Sequence, residues 1–252
     1  MREYRFTPNN LNYISCDRCF YLAHHHKIQF QQGFPTVFST LDKFQKERYI
    51  SLTTKDLSDK LEEGKFFKVP SANEKKERKK AKEEIYGELD LPGKVKSKNL
   101  LDNKNRSFYL EGKPDLVIKF FNNTYGVIDF KTTSEVDKTP HYKYQLEAYA
   151  QIFENPGVMP QIESPLLTPI KYLGLVQFTP REIVDHDHSF YQQNFTINHF
   201  ELKRNEETVK DFKNYITKLI DIIEMPTTPN FNEECTMCND YKKSLMTSGV
   251  SG

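Results

Sequence analysis

No apolar run in the chain approaches the ~20 residues that a membrane-spanning helix needs, which excludes a helical integral membrane protein. The N-terminus opens on MREYRFTPNN, polar and charged instead of a secretory leader, so the expected location is the cytoplasm. Neither sign of charge is in excess: 36 basic residues against 35 acidic ones leave a net charge of +1. Any affinity for nucleic acid must therefore come from local patches and not from a global field. No Walker A pattern is present, which excludes an ATP-driven motor within the chain. Tryptophan is absent, no internal repeat is found, and cysteine is confined to four residues.

What remains is a chain of 252 residues, 37% hydrophobic, with 19 Phe and 14 Tyr, long enough to bury a real core. The expected organisation is one domain over residues 1–244 with a disordered tail at 245–252. Within it, residues 51–105 read as a charged insertion. Residues 1–30 and 225–244 each carry two of the cysteines. Residues 206–224 place Val209, Phe212, Ile216, Leu219, Ile220 and Ile223 at helical spacing.

The densest chemical signal runs from Gly112 to Tyr149, as GKPDLVIKFFNNTYGVIDFKTT and on through KYQLEAYAQIF. Asp115 opens one strand-like run and Asp129-Phe130-Lys131 closes the next. Residues two apart on a strand share a face, so Asp129 and Lys131 stand side by side. A hairpin loop of Asn122-Asn123-Thr124, with Phe121 facing Tyr125, sets Asp115 opposite Lys131 and diagonal to Asp129. Two carboxylates and an ammonium then converge. Hydrolysis of a phosphodiester needs neutralised phosphate charge and an activated water. A divalent ion on hard oxygen ligands supplies both. Asp115, Asp129 and the backbone carbonyl of Phe130 are the expected metal ligands, with Lys131 beside the attacking water. Gln145 and Tyr149, four apart, share one helix face toward the hairpin. Tyr149 equally suits core packing, in an apolar stripe with Leu146, Ala150 and Phe153.

These residues resemble the PD-(D/E)XK nuclease superfamily, in particular its RecB-like exonuclease branch. Pro114-Asp115 matches the first element, Asp129-Phe130-Lys131 the second, and Gln145 with Tyr149 the branch's Q-x-x-x-Y. The resemblance implies a restriction-endonuclease-like α-β-β-β-α-β core, a mixed sheet flanked by helices, with residues 51–105 as a helical insertion. It implies Mg²⁺ or Mn²⁺ at the site, DNA as substrate, and Gln145 and Tyr149 as supporting residues. An earlier helix of such enzymes places a His or Glu by the metal. Here that helix is Val37 to Tyr49, which has no histidine, and Asp42 takes the position with Glu47 as the alternative.

The cysteines form two pairs, Cys16-x-x-Cys19 and Cys235-x-x-Cys238. A two-residue spacer lets both sulfurs face one point, so four thiolates can share one ion or cluster and pin the chain ends together. Several RecB-like nucleases clasp their ends with a 4Fe-4S cluster on one upstream and three downstream cysteines. The two-plus-two split here suits Zn²⁺ as readily.

Three further features stand outside these motifs. Glu74 to Glu84, EKKERKKAKEE, reads as a solvated helix face or as an arm on a phosphate backbone, with Phe66, Phe67 and Tyr86 flanking it. His24, His25 and His26 cannot all bind one ion from a helix, and a solvated turn is expected there. His186-Asp187-His188 receives no role. The resemblance implies a metal-dependent DNA exonuclease acting on single-stranded or frayed ends, in repair, recombination or CRISPR and mobile-element processing. A helicase or other recombination protein is the expected partner for unwinding. The rival readings are an inactive nuclease fold used for binding or scaffolding, and an iron-sulfur redox sensor.

Overall fold

Alternation along two short apolar runs builds the centre of the molecule. In the computed structural model, which describes residues 2–12, 16–28, 36–68, 91, 93–133, 139–159, 162–185 and 191–247, strand β7 (Tyr125–Thr132) is central. It pairs antiparallel with β6 (Leu116–Phe120) and parallel with β10 (Ile170–Asp185). The edges are β2 (Gly64–Lys68) beside β6 and β11 (Tyr191–Leu202) beside β10, giving a mixed sheet ordered β11-β10-β7-β6-β2. With α3 (Thr36–Ile50) before it and α5 (Thr139–Glu154) between β7 and β10, the chain follows the expected α-β-β-β-α-β order.

The pleat separates two cores. Ile128 and Phe130 of β7, Leu116 and Ile118 of β6, and Val176 and Phe178 of β10 face Tyr49 of α3. Val127, Val117 and Leu173 face Leu146, Tyr149 and Phe153 of α5, behind which lies α6 (Glu206–Ile223). Helix α6 buries Phe212, Ile216, Leu219, Ile220 and Ile223, the stripe its spacing predicts. Its start is fixed reciprocally: Thr208 N–H donates to the Asn205 side chain at 3.0 Å, and Asn205 N–H to Thr208 Oγ1 at 3.0 Å.

A second sheet covers the far side of α5. Strand β5 (Ser107–Gly112) pairs parallel with β1 (Glu3–Phe6) and antiparallel with β3 (Val95–Lys96) and β4 (Leu100–Leu101). Helix α1 (Pro8–Asn12) follows β1 and packs on α5, and β8 (Val158–Met159) pairs with β9 (Ile162–Glu163). The N-terminal α2 (Asp17–His26) and C-terminal α7 (Thr236–Thr247) carry the cysteine pairs. Among the described residues no helix is long and apolar enough to cross a membrane.

Three expectations need correction. The described part of residues 51–105 holds only the short α4 (Thr54–Leu57) as helix, and Gly64–Lys68 is the edge strand of the main sheet. Phe66, 3% exposed, packs edge-to-face on Tyr49 and anchors that strand on α3. The run Glu74 to Glu84, Tyr86 and His186 to His188 lie outside the described residues. Helix α7 continues into the supposed tail, while residues 248–252 also lie outside.

The third concerns register. The hairpin loop is Phe121 to Asn123, not Asn122 to Thr124. Asn123 N–H donates to Phe120 O at 3.1 Å, Phe120 N–H to Thr124 O at 2.9 Å, and Asn123 takes the left-handed conformation with φ 62°. Lys119 therefore pairs with Tyr125 and Leu116 with Ile128, and the same register sets Asp115 opposite Asp129. A shift of two preserves the face, so the two acids still converge.

Candidate active site and cysteine cluster

Asp129 is 3% exposed, on the face of β7 that α5 covers. From α5, Gln145 Nε2 donates to Asp129 Oδ1 at 2.8 Å. The same amide donates to Asn9 Oδ1 at 2.7 Å, and Asn12 donates to Gln145 Oε1, so α1 holds the glutamine from behind. Lys131 Nζ lies 2.5 Å from Asp129 Oδ2 and 4.8 Å from the centre of the Tyr142 ring. Tyr149 belongs to the core, yet its hydroxyl donates to Lys113 O at 2.8 Å, which fixes the backbone two residues before Asp115.

Asp115 sits where β6 has not yet begun and β7 runs on. Its Oδ2 accepts the Phe130 N–H at 2.8 Å in place of a neighbouring strand. A strand residue turns its N–H and C=O to the same edge, so the Phe130 carbonyl points to the Asp115 side. The other carboxylate oxygen, Oδ1, is 2.7 Å from Lys46 Nζ of α3, and that ammonium is 2.6 Å from Asp42 Oδ2. Gln45 Nε2 donates to Thr132 Oγ1 at 3.2 Å and docks α3 on the end of β7. Glu47, the alternative ligand, pairs instead with Lys43 at 3.8 Å.

The structure thus brings Asp115, Asp129, Lys131 and Gln145 together and holds Asp42 at the rim through Lys46. The sequence reading missed Lys46, Asn9 and Asn12. Lys46 stands four residues after Asp42, a spacing that puts both on one helix face. Nothing in PNNLN distinguishes the two asparagines.

Burial of Asp129 disfavours its charged form. Lys131 pulls the other way, but with Asp115 adding repulsion the pKa rises to about 7. Burial also opposes charge on Lys131, yet Asp129 and Asp115 outweigh it and hold the ammonium above its ordinary pKa. Burial lifts the Tyr149 phenol well above its usual value. Asp129 Oδ2 is buried and, although ion-paired with Lys131, lacks a well-aligned hydrogen bond. Two converging carboxylates plus a backbone carbonyl form a hard-oxygen donor set that fits Mg²⁺ or Mn²⁺.

At the chain ends, Cys16 caps α2, its Sγ accepting the Cys19 N–H at 3.4 Å. Cys235 and Cys238 occupy the start of α7. Sulfur separations are 3.4 Å for Cys16 and Cys238, 3.8 Å for Cys19 and Cys235, and 3.6 Å for Cys19 and Cys238. All four sulfurs lie within 4.8 Å of one another, and none forms a disulfide. Burial raises Cys16 to about 11 and lifts Cys19 as well, while Cys238 is lowered by its neighbours' hydrogen bonds against the effect of burial. Arg18 clamps the two segments, donating to Pro229 O at 2.7 Å and lying 3.9 Å from the Phe231 ring centre. The histidines form the last turn of α2, not a separate loop. His25 stacks on Tyr21 and its Nε2 bonds Ile223 O at 2.8 Å.

A mixed sheet in α-β-β-β-α-β order, with two acids, a lysine and a helix-borne glutamine at one strand end, defines a nuclease-type α/β fold. The chain belongs to the PD-(D/E)XK nuclease superfamily, whose sequence profile matches residues 5–242. A solved structure titled "Crystal structure of SSO0001" is similar in fold, with a TM-score of 0.50 and 15% identity over 94% of this chain and 84% of that one. No curated protein sequence matches significantly. Membership in the superfamily carries phosphodiester hydrolysis as the class of chemistry.

Proposed function

We propose that this protein is a divalent-metal-dependent deoxyribonuclease of the RecB-like kind, an exonuclease working on single-stranded or frayed DNA ends. The observation that carries the reading is the convergence of Asp115, Asp129, Lys131 and Gln145 on one strand end. Asp115, Asp129 and the Phe130 carbonyl would hold Mg²⁺ or Mn²⁺. Bound there, the ion supplies charge neutralisation on the phosphate and acidification of a water. Lys131, kept charged by two carboxylates, orients that water and stabilises charge developing on phosphate. Gln145 fixes the Asp129 carboxylate, and Tyr149 fixes the backbone leading to Asp115. The chain has no Walker A pattern, so a helicase or other recombination or CRISPR protein is the proposed source of opened ends.

For the cysteines we favour one tetrahedral ion. A Zn–S bond of about 2.3 Å in tetrahedral geometry puts sulfurs about 3.8 Å apart. Three sulfur pairs at 3.4, 3.6 and 3.8 Å, in a group no wider than 4.8 Å, suit that arrangement. A 4Fe-4S cluster bonds each thiolate to a different iron and would hold them farther apart. This disfavours the redox-sensor reading.

The activity test is cleavage of end-labelled single- and double-stranded DNA with Mn²⁺, Mg²⁺ or EDTA. Lys131→Ala and Asp129→Ala should each lose at least about 100-fold of a metal-dependent activity. Cutting that persists in both variants, or is absent from wild-type protein with its cysteine site filled, would overturn the reading. The second outcome would favour a binding module, a role to which the ammonium of Lys46 already bridging Asp42 and Asp115 lends some support.

A further inference from the structure

Lys46 stands where an ion would compete with it. Its ammonium lies 2.7 Å from Asp115 Oδ1 and 2.6 Å from Asp42 Oδ2. A magnesium-sized ion on the same oxygens sits at about 2.1 Å, so the two cations claim one small volume. Like charges at such range repel strongly in a partly desolvated site. Lys46 must withdraw from Asp115 when the metal binds.

The fold tells which part moves. Helix α3 is anchored on both sides of Lys46, by Gln45 on Thr132 and by Tyr49, 3% exposed, among Phe66, Phe130 and Phe178. The backbone therefore stays and the side chain swings. It is 20% exposed, so the ammonium has a path outward on a flexible four-carbon stem. Its reach from α3 keeps it near Asp115, within range of a phosphate oxygen brought to that carboxylate. A displaced ammonium there gains a phosphate oxygen in exchange for a carboxylate.

Resting on the nuclease reading above, we propose that Lys46 is an exchangeable internal counter-ion. It closes Asp115 against Asp42 in the metal-free protein and passes to a substrate phosphate when metal and DNA are bound. Metal and DNA then bind with positive coupling, because DNA supplies the partner that Lys46 loses to the metal. Linkage makes the coupling reciprocal. This makes Lys46 a positioning residue that restrains the metal site until substrate arrives.

The test is Mn²⁺ binding followed by electron paramagnetic resonance, with and without a phosphorothioate single-stranded oligonucleotide. Wild type, Lys46→Met and Lys46→Arg are compared. Wild type should bind Mn²⁺ weakly alone and roughly tenfold more tightly with the oligonucleotide, a coupling of typical size. Lys46→Met should bind Mn²⁺ roughly tenfold more tightly alone and lose most of the coupling, while Lys46→Arg retains both behaviours. Thermal melts of each variant show whether the fold is intact, and Lys46→Gln, which removes the charge but keeps a polar end on the stem, carries the test if methionine destabilises α3. Equal or weaker Mn²⁺ affinity in a folded Lys46→Met, or coupling that survives the loss of charge, overturns the proposal. Because the readout is binding, it separates the two ideas. Coupled Mn²⁺ binding without any DNA cleavage keeps the counter-ion and sinks the nuclease. Cleavage with Lys46→Met binding as wild type sinks the counter-ion alone, and no Mn²⁺ binding to any variant sinks both.

Discussion

Gln145 donates to Asp129 across the gap between α5 and β7, at 2.8 Å, and is itself held by Asn9 and Asn12 of α1. The bond satisfies one oxygen of a carboxylate that burial pushes toward the neutral form. Replacing the glutamine by leucine keeps the volume roughly and removes the donor. Outer partners of metal ligands are typically worth about 10–100-fold in metal affinity or activity. Gln145→Leu should lose that much Mn²⁺-dependent cleavage, with a stability loss of about 1–3 kcal/mol for the stranded acceptors. Urea unfolding beside a Mn²⁺ titration checks both, and unchanged metal dependence would remove Gln145 from the site.

How far the sequence could be read depended on the range of the interactions. Alternation in LVIKF and YGVIDFKT and the four-residue spacing of Gln145 and Tyr149 are local, so the hairpin and its helix were legible. Register was not. Phe121 looked like a strand residue by type, but it is 60% exposed in the loop, where Asn123 takes the left-handed conformation that an asparagine was expected to supply. The parity of the two acids survived only because the error was an even number of residues. Strand β1 has four residues and pairs with β5 from Glu3 to Ser107, a partner about a hundred positions away that no local pattern announces. Strand β2 was hidden by the charged residues around it. Lys46 was visible at its spacing, but a search for metal ligands passes over a cation.

A second prediction concerns acid stability. The Asp102 side chain is fully buried, and Arg106 binds its Oδ2 through Nε at 2.9 Å and Nη2 at 2.6 Å. Arg106 also reaches Glu224 at 2.6 Å and Thr217 O at 3.0 Å, tying the β4–β5 turn to α6. Burial opposes charge on Asp102, but the hydrogen bonds from Arg106 and Lys104 prevail and its pKa is lowered. A depressed carboxylate stabilises the fold fully above the unfolded pKa of about 4 and loses that contribution as pH falls through the folded value. Asp102→Asn should therefore cost about 3–5 kcal/mol near pH 7, with the gap from wild type closing below about pH 4. Melting curves across pH 3–7 provide the check (a gap that widens in acid would contradict it).

Arg204 supports a third prediction. Its guanidinium binds Glu147 at 2.9 and 3.0 Å, Glu154 at 2.8 and 2.6 Å and Ile170 O at 2.9 Å. One side chain thus joins the end of β11 to α5 and the start of β10. Glu147 is buried, so Arg204→Met strands a carboxylate and should cost about 3–5 kcal/mol. Adding Glu147→Leu removes the stranded charge and should recover much of the loss. A double-mutant cycle by urea unfolding measures this, and additive losses would mean that the two groups do not depend on each other.

The cysteine cluster gives the last prediction, because it joins segments 216 residues apart at Cys19 and Cys235. Cross-linking so long a loop restricts the unfolded chain by about 5 kcal/mol in chain-entropy terms. In a domain of this size that corresponds to roughly 10–20 °C in Tm. Protein purified without oxygen should carry one equivalent of zinc and no absorbance near 400 nm. Cys19→Ser or Cys238→Ser should bring the melting temperature down by that order while leaving the carboxylate site assembled in the surviving folded fraction. The packing of α2 on α6, and of α6 on α5, leads from the cluster to the helix that carries Gln145. A serine variant that stays folded at low temperature and still binds Mn²⁺ with wild-type affinity would confine the cluster to stability. Loss of Mn²⁺ affinity at a temperature where the fold is intact would instead make the chain-end clasp part of what holds the catalytic helix in place.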